Sequence, residues 1–166
     1  MKPASISIYF AIVAFLIVCG GAVYEHVVTI PVWTTAPPES LAMFHGDYGA
    51  QPARFWQSIH PVALLASVIA LALNWKILPR RKMIGITLGG YLLVLVLTAI
   101  YFVPELMTLT LDPQAQIPPD EWKSRADTWE ILSLIRAVFM ILLAIPLIHA
   151  ATRAGAAGAD EGARHR

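Results

Sequence analysis

Charge is scarce in this chain. Only 14% of its 166 residues are Asp, Glu, Lys or Arg, where a soluble domain carries about 25%. Cysteine is almost missing. Cys19 is the single one, which excludes an intramolecular disulfide, a Cys-x-x-Cys redox pair and a thiolate metal cage. No two histidines fall at the close spacing of a helical metal motif. The net charge of +1 offers nothing to nucleic acid. Apolar residues fill the space instead: 57% of the chain is hydrophobic, with a mean hydropathy of +0.63.

Those residues gather in four runs, Ile6–Ile30, Ile59–Trp75, Met83–Leu106 and Trp129–Ala151. Each approaches or exceeds the roughly 20 residues needed to cross about 30 Å of hydrocarbon. The first run continues well past Gly20-Gly21-Ala22, longer than the apolar stretch of a signal peptide, and reads as a retained span. Bulky Val18 before Cys19 argues against a lipid-modified cysteine. Little chain is left for a second domain. The expected architecture is an all-α integral membrane four-helix bundle over residues 1–153, antiparallel and up-down. The Gly- and Ala-rich residues 154–166 read as a disordered cytoplasmic tail.

The loop Lys76-Ile-Leu-Pro-Arg-Arg-Lys82 is short and strongly basic, so the positive-inside rule places it in the cytoplasm. Both termini follow it. The pattern suits a multi-pass protein of a bacterial inner membrane, whose constant partner is the lipid bilayer. This topology sends the polar residues of all four spans to the outer face: Glu25 and His26, Trp56 and His60, Tyr101 and Glu105, then Trp129 and, deeper, Arg136. Charge in hydrocarbon costs on the order of 3 kcal/mol per residue. It persists where it pairs, faces a cavity or does chemistry.

Helical spacing sorts these residues further. Trp122, Arg125, Trp129, Ser133, Arg136 and Met140 recur at steps of three or four and share one face. A Trp–Arg stripe does not suit lipid and should face the interior. Tyr91, Thr98, Tyr101 and Glu105 form a second stripe. Glu25 and Thr29 form a third, which Trp33 continues if the helix persists past Pro31. Trp56 and His60 are likewise i, i+4. His26 points about 100° away from Glu25. A pair between Arg136 and Glu25 or Glu105 is the expected compensation for the buried cation, with an anion or oxyanion site as the sharper alternative. Glycines 20, 21, 85, 89 and 90 read as points of close helix approach. Pro61 and Pro104 each free a backbone carbonyl, which would kink the rods and open the outer end.

Two outer loops remain. Residues 31–55 contain a short helix near Pro37–Phe44, followed by the turn His45-Gly-Asp47. The segment reads either as an interfacial turn or as a lid delivering His45 or Asp47. Met107–Ile117 form the second loop, after which Pro118-Pro119 start a helix running into the fourth span.

Three segments resemble one known pattern: Gly21-Ala-Val-Tyr-Glu-His-Val-Val-Thr-Ile-Pro31, Leu97-Thr-Ala-Ile-Tyr-Phe-Val-Pro-Glu-Leu106 and Trp129-Glu-Ile-Leu-Ser-Leu-Ile-Arg136. They are similar to the small four-span membrane proteins grouped with the anthrone oxygenases. The chain departs from that pattern at Glu25-His26, His60-Pro61 and the Tyr-Phe-Val-Pro-Glu wording. The resemblance implies oxidation of a hydrophobic phenolic ketone by O₂, in some members without a cofactor. Glu25, His60, Glu105 and Arg136 would then be catalytic, with His26, Trp56, Tyr101 and Trp129 around the substrate.

Other classes stay open on the residues alone. One is a non-catalytic module binding a lipid, quinone or haem, or serving as an accessory subunit. A metal held by His26, His45 and His60 with Glu25, Asp47 or Glu105 lacks motif spacing, and a bis-histidine haem would use His26 and His60. A transporter is disfavoured because polar residues do not continue through the inner half, and it would need a homo-oligomer.

Overall fold

The structure, a computed structural model, describes residues 2–110 and 117–164, with side chains to Arg153. It is all-helical among the described residues. Four long helices carry the fold: α1, Pro3–Trp33; α2, Pro52–Leu73; α3, Leu78–Thr110; and α4, Pro119–Arg164. Each is long and apolar enough to cross a membrane.

The helices outrun the apolar runs at nearly every end, because length follows capping chemistry as well as hydropathy. Proline stands in the first turn of α1, α2, α3 and α4, where its missing N–H costs nothing. α3 continues to Thr110, so the expected loop at 107–117 starts later; residues 111–116 lie outside the described residues. α4 stays helical to Arg164, through the tail expected to be disordered. Five alanines in that segment favour helix enough to offset its three glycines.

α1 and α3 each contain one π-turn, at Glu25–Thr29 and Thr98–Phe102. In each, the closing N–H reaches back five residues: Ile30 to the Glu25 carbonyl, Val103 to the Thr98 carbonyl. A proline follows directly, Pro31 or Pro104. A π-turn adds one residue to the helix, and here it absorbs the bond that proline cannot make. The helices therefore run on past both prolines. Pro61 sits inside α2 in the same way, without ending it.

The tightest helix pairings are α1 with α2 and α3 with α4. The two pairs repeat one another along the chain. Glu25, Pro31 and Trp56 stand at one constant offset from Thr98, Pro104 and Trp129. In both pairs the tryptophan indole donates into the preceding π-turn. Among the described glycines of the four helices, two mark close approach. A Cβ on Gly21 would stand 2.5 Å from the Phe55 ring, and one on Gly90 would stand 2.6 Å from Leu143. Gly20, Gly85 and Gly89 face open space, so they are not the packing points expected of them.

The main core runs along the middle of the bundle, from Ile8, Phe15 and Val18 of α1 to Met140 and Leu147 of α4. A second cluster of Ile30, Trp33, Phe102, Leu109, Ala126 and Trp129 fills one end. At the other end lies a buried polar knot. Asn74 donates to the Ala4 and Ala70 carbonyls and accepts from Arg80 Nη1 at 2.8 Å. Arg80, one of the cations of the basic loop, is therefore a buried structural residue.

Candidate functional site

The site begins where the π-turn of α1 meets the start of α2. Trp56 Nε1 donates to Glu25 Oε1 at 2.7 Å. The indole stacks on the His60 imidazole one turn on, with centroids 5.1 Å apart and planes within 22°. His60 Nδ1 lies 2.7 Å from the Tyr91 hydroxyl of α3. Tyr91 is fully buried and packs edge-on against Phe15. Three helices thus join in one line, Glu25–Trp56–His60–Tyr91.

Arg136 approaches from α4. Its Nη1 donates to Thr98 Oγ1 at 3.1 Å and its Nη2 to Ser133 Oγ at 3.0 Å. Thr98 passes its own proton to the Val94 carbonyl at 2.7 Å, which frees its oxygen to accept. The guanidinium carbon sits 4.1 Å from the Phe102 ring centroid, a cation–π contact. Neither expected ion pair forms: among the described residues Arg136 bonds neutral oxygens, not Glu25 or Glu105. Glu25 and His60 both lie within electrostatic reach of the guanidinium. Arg136 Nε is buried with no partner among the described residues, as is Nε2 of His26.

Of the eight residues singled out from sequence, five gather here: Glu25, Trp56 and His60 in the polar line, Arg136 approaching it from α4, and Trp129 beside Arg136 across the Phe102 ring. Trp129 is buried and donates from Nε1 to the Phe102 carbonyl at 2.9 Å. It meets Trp33 edge-on at 5.8 Å, and Trp33 meets Trp122 at 5.9 Å. Tyr101 flanks this cluster, edge-on to Phe102 at 5.1 Å. His26 turns back to its own helix, Nδ1 2.8 Å from the Ala22 carbonyl.

Glu105 stands apart from the polar line. It is clamped by Arg125, whose Nε and Nη2 each lie 2.7 Å from a carboxylate oxygen. The two-point fork between α3 and α4 ties the helix ends together. The π-turn explains the displacement, because one added residue rotates everything beyond it on α3 by about 100°.

Among the described residues no three histidine, cysteine or carboxylate side chains gather as a metal-ligand set. His45 bonds the Leu41 carbonyl at the surface, and Asp47 is exposed. The 31–55 loop still covers this end, because Leu41, Met43 and Phe44 of its 3₁₀ turn Glu39–Phe44 pack on the tryptophan cluster. Four further contributors were not singled out from the sequence. Tyr91, Thr98 and Ser133 were already on inward stripes and needed only a partner. Phe102 stands four residues after Thr98 on the same stripe and was passed over as an ordinary apolar side chain.

No protein-family model, curated protein or solved structure matches this chain.

Proposed function

We propose that this chain is a multi-pass membrane protein that holds a hydrophobic phenol or enolisable ketone as its anion and oxidises it with O₂. In this reading the bundle is antiparallel, both termini are cytoplasmic, and the Glu25–Arg136 end faces outward. The observation that carries it is Arg136, a guanidinium within an apolar bundle, held by two hydroxyls and a ring rather than by a carboxylate. Its charge stays available to an anionic ligand, and electrostatic stabilisation of this kind is worth most where water is excluded.

The chemistry follows from the neighbours. The Tyr91 hydroxyl has His60 Nδ1 as its one partner among the described residues. Donation from Tyr91 fixes the imidazole proton on Nε2, so His60 offers a donor and Glu25 is the base. Glu25 takes a proton from the acidic methylene, and the electron pair moves onto the carbonyl oxygen beside Arg136. The enolate passes one electron to O₂, and recombination forms the C–O bond. The peroxide takes back the proton from Glu25. Loss of water then leaves a new carbonyl, so O₂ is consumed and one water released per methylene oxidised. The resemblance to the anthrone oxygenases supports this substrate class.

A second reading has its own support. Glu25 and His60 are each already hydrogen-bonded within the protein, which suits a binder of a quinone, lipid or haem, or an accessory subunit. Reconstituted protein separates the two. Anaerobic addition of an anthrone should produce the red-shifted absorption of its anion, and air should then cause oxygen uptake. Arg136→Gln should cut turnover by about 10²–10³-fold, as loss of an oxyanion donor does. A spectral shift without oxygen uptake would leave the binder. No shift, or full activity in both Arg136→Gln and Glu25→Gln, would end the proposal.

A further inference from the structure

The opposite end of the bundle carries a groove of about 500 Å³ lined by Leu71, Trp75, Arg81, Lys82, Gly85 and Ile86. Its floor is apolar and its rim is cationic. The Arg81 guanidinium is laid over the Trp75 indole, 5.0 Å from the ring. Trp75 itself is 57% exposed. Neither Arg81 nor Lys82 pairs with a carboxylate among the described residues, and none lines the groove. Lys82 also borders a separate cavity of about 300 Å³, with His149 and Arg153. Arg80 is spent on Asn74 inside the protein, so the rim charge belongs to its neighbours.

We propose that this groove binds one anionic phospholipid, its phosphate on Arg81 and Lys82 and its acyl chain along Leu71, Gly85 and Ile86. Charge complementarity chooses the headgroup, because a zwitterionic lipid gains much less from a rim of one sign. The shape chooses a lipid over a free anion. The apolar floor of Leu71, Gly85 and Ile86 lies next to the cations, and the side chain missing at Gly85 leaves it open: a Cβ there would meet nothing within 4 Å. Trp75 marks the level of the headgroups, where indoles concentrate. The inference rests on the membrane reading proposed above.

The test uses the full chain in phosphatidylcholine vesicles containing a minor fraction of either phosphatidylglycerol or phosphatidylcholine with brominated acyl chains. Bromine quenches a nearby indole, and the Trp75 signal is the difference between wild type and Trp75→Phe. Brominated phosphatidylglycerol should quench Trp75 more strongly. The preference should fall roughly fivefold per cation removed in Arg81→Gln and Lys82→Gln. Gly85→Leu should abolish it with every charge in place, and its side chain enters open space, so folding is not at stake. Equal quenching by both lipids, or displacement of the lipid by millimolar inorganic phosphate, would overturn the site. Failure of the protein to float with vesicles of either composition would instead remove the membrane reading, and the site with it.

Discussion

At the residue scale, two side chains hold polar groups where water is scarce, and each has a measurable share. Trp56 gives Glu25 a hydrogen bond and gives His60 a stacking surface. Trp56→Phe keeps the second and removes the first. It should destabilise the detergent-solubilised protein by about 1–3 kcal/mol, the cost of stranding a half-buried acceptor. Glu25→Gln keeps an oxygen for the indole and should cost less. Denaturant titrations of the two variants check the order, and an equal or reversed cost would show that the bond carries little. Asn74 makes three bonds at once. Asn74→Leu strands a buried Arg80 and should cost about 2 kcal/mol or more. Asn74→Asp should recover part of that by accepting from Arg80, although it cannot donate to Ala4 and Ala70.

At the element scale, the π-turns decide which residues meet. Along α4 the helix is uninterrupted, and the inward stripe Trp129, Ser133, Arg136, Met140 is legible in the sequence as simple periodicity. Trp33 is buried as well, since α1 does persist past Pro31, but the π-turn at Glu25–Thr29 stands before it, so its place does not follow from simple periodicity. Along α3 the period fails at Thr98–Phe102. A reading that carries one period through that segment sets Glu105 in line with Thr98, and the added residue turns it away to Arg125 instead. Proline is visible in the sequence, but whether it kinks, ends or bulges a helix depends on tertiary contacts that local sequence does not encode. Deleting Ala99 tests the account. Ala99 is exposed, so its loss should act mainly through register. The deletion removes the one residue that the π-turn adds, so the shortened segment should run as plain α-helix with Phe102 and Glu105 still facing as they do. The Phe102–Arg136 contact and the Glu105–Arg125 fork should both survive. Ala99→Ser, which leaves the register alone, should behave as wild type. A cysteine pair replacing Glu105 and Arg125 should cross-link in the full-length chain and in the deletion alike. Failure to cross-link in the deletion alone would show that the π-turn is not what sets the register.

At the scale of the whole molecule, the fold is two copies of one helix pair. The pairing of α1 with α2 and of α3 with α4, the matched π-turns and the matched tryptophans all describe one unit used twice. The copies have diverged where chemistry is proposed. The first offers Glu25 and His60; the second offers Thr98 and Ser133 at the equivalent positions and sets Arg136 beside them. A carboxylate and a cation are thereby brought together from different halves, and neither half holds the full candidate site. Contacts between the halves include the α1–α4 seam, the His60–Tyr91 bond and the Arg80–Asn74 bond. Helices that insert independently associate afterwards through packing and polar contacts, so the connecting loop at Trp75-Lys76 should be dispensable. Residues 1–75 and 76–166, expressed together as separate chains, should co-purify when only one carries a tag. The reassembled pair should retain the Trp56–Glu25 and Arg136 contacts, read as ligand binding equal to that of the intact chain. Asn74→Leu in the first fragment should reduce recovery of the second, because it removes the polar bond that joins the halves at that end. If both fragments insert but neither recovers the other, the connection does more than link two finished units, and the two-pair description of the fold would have to be given up.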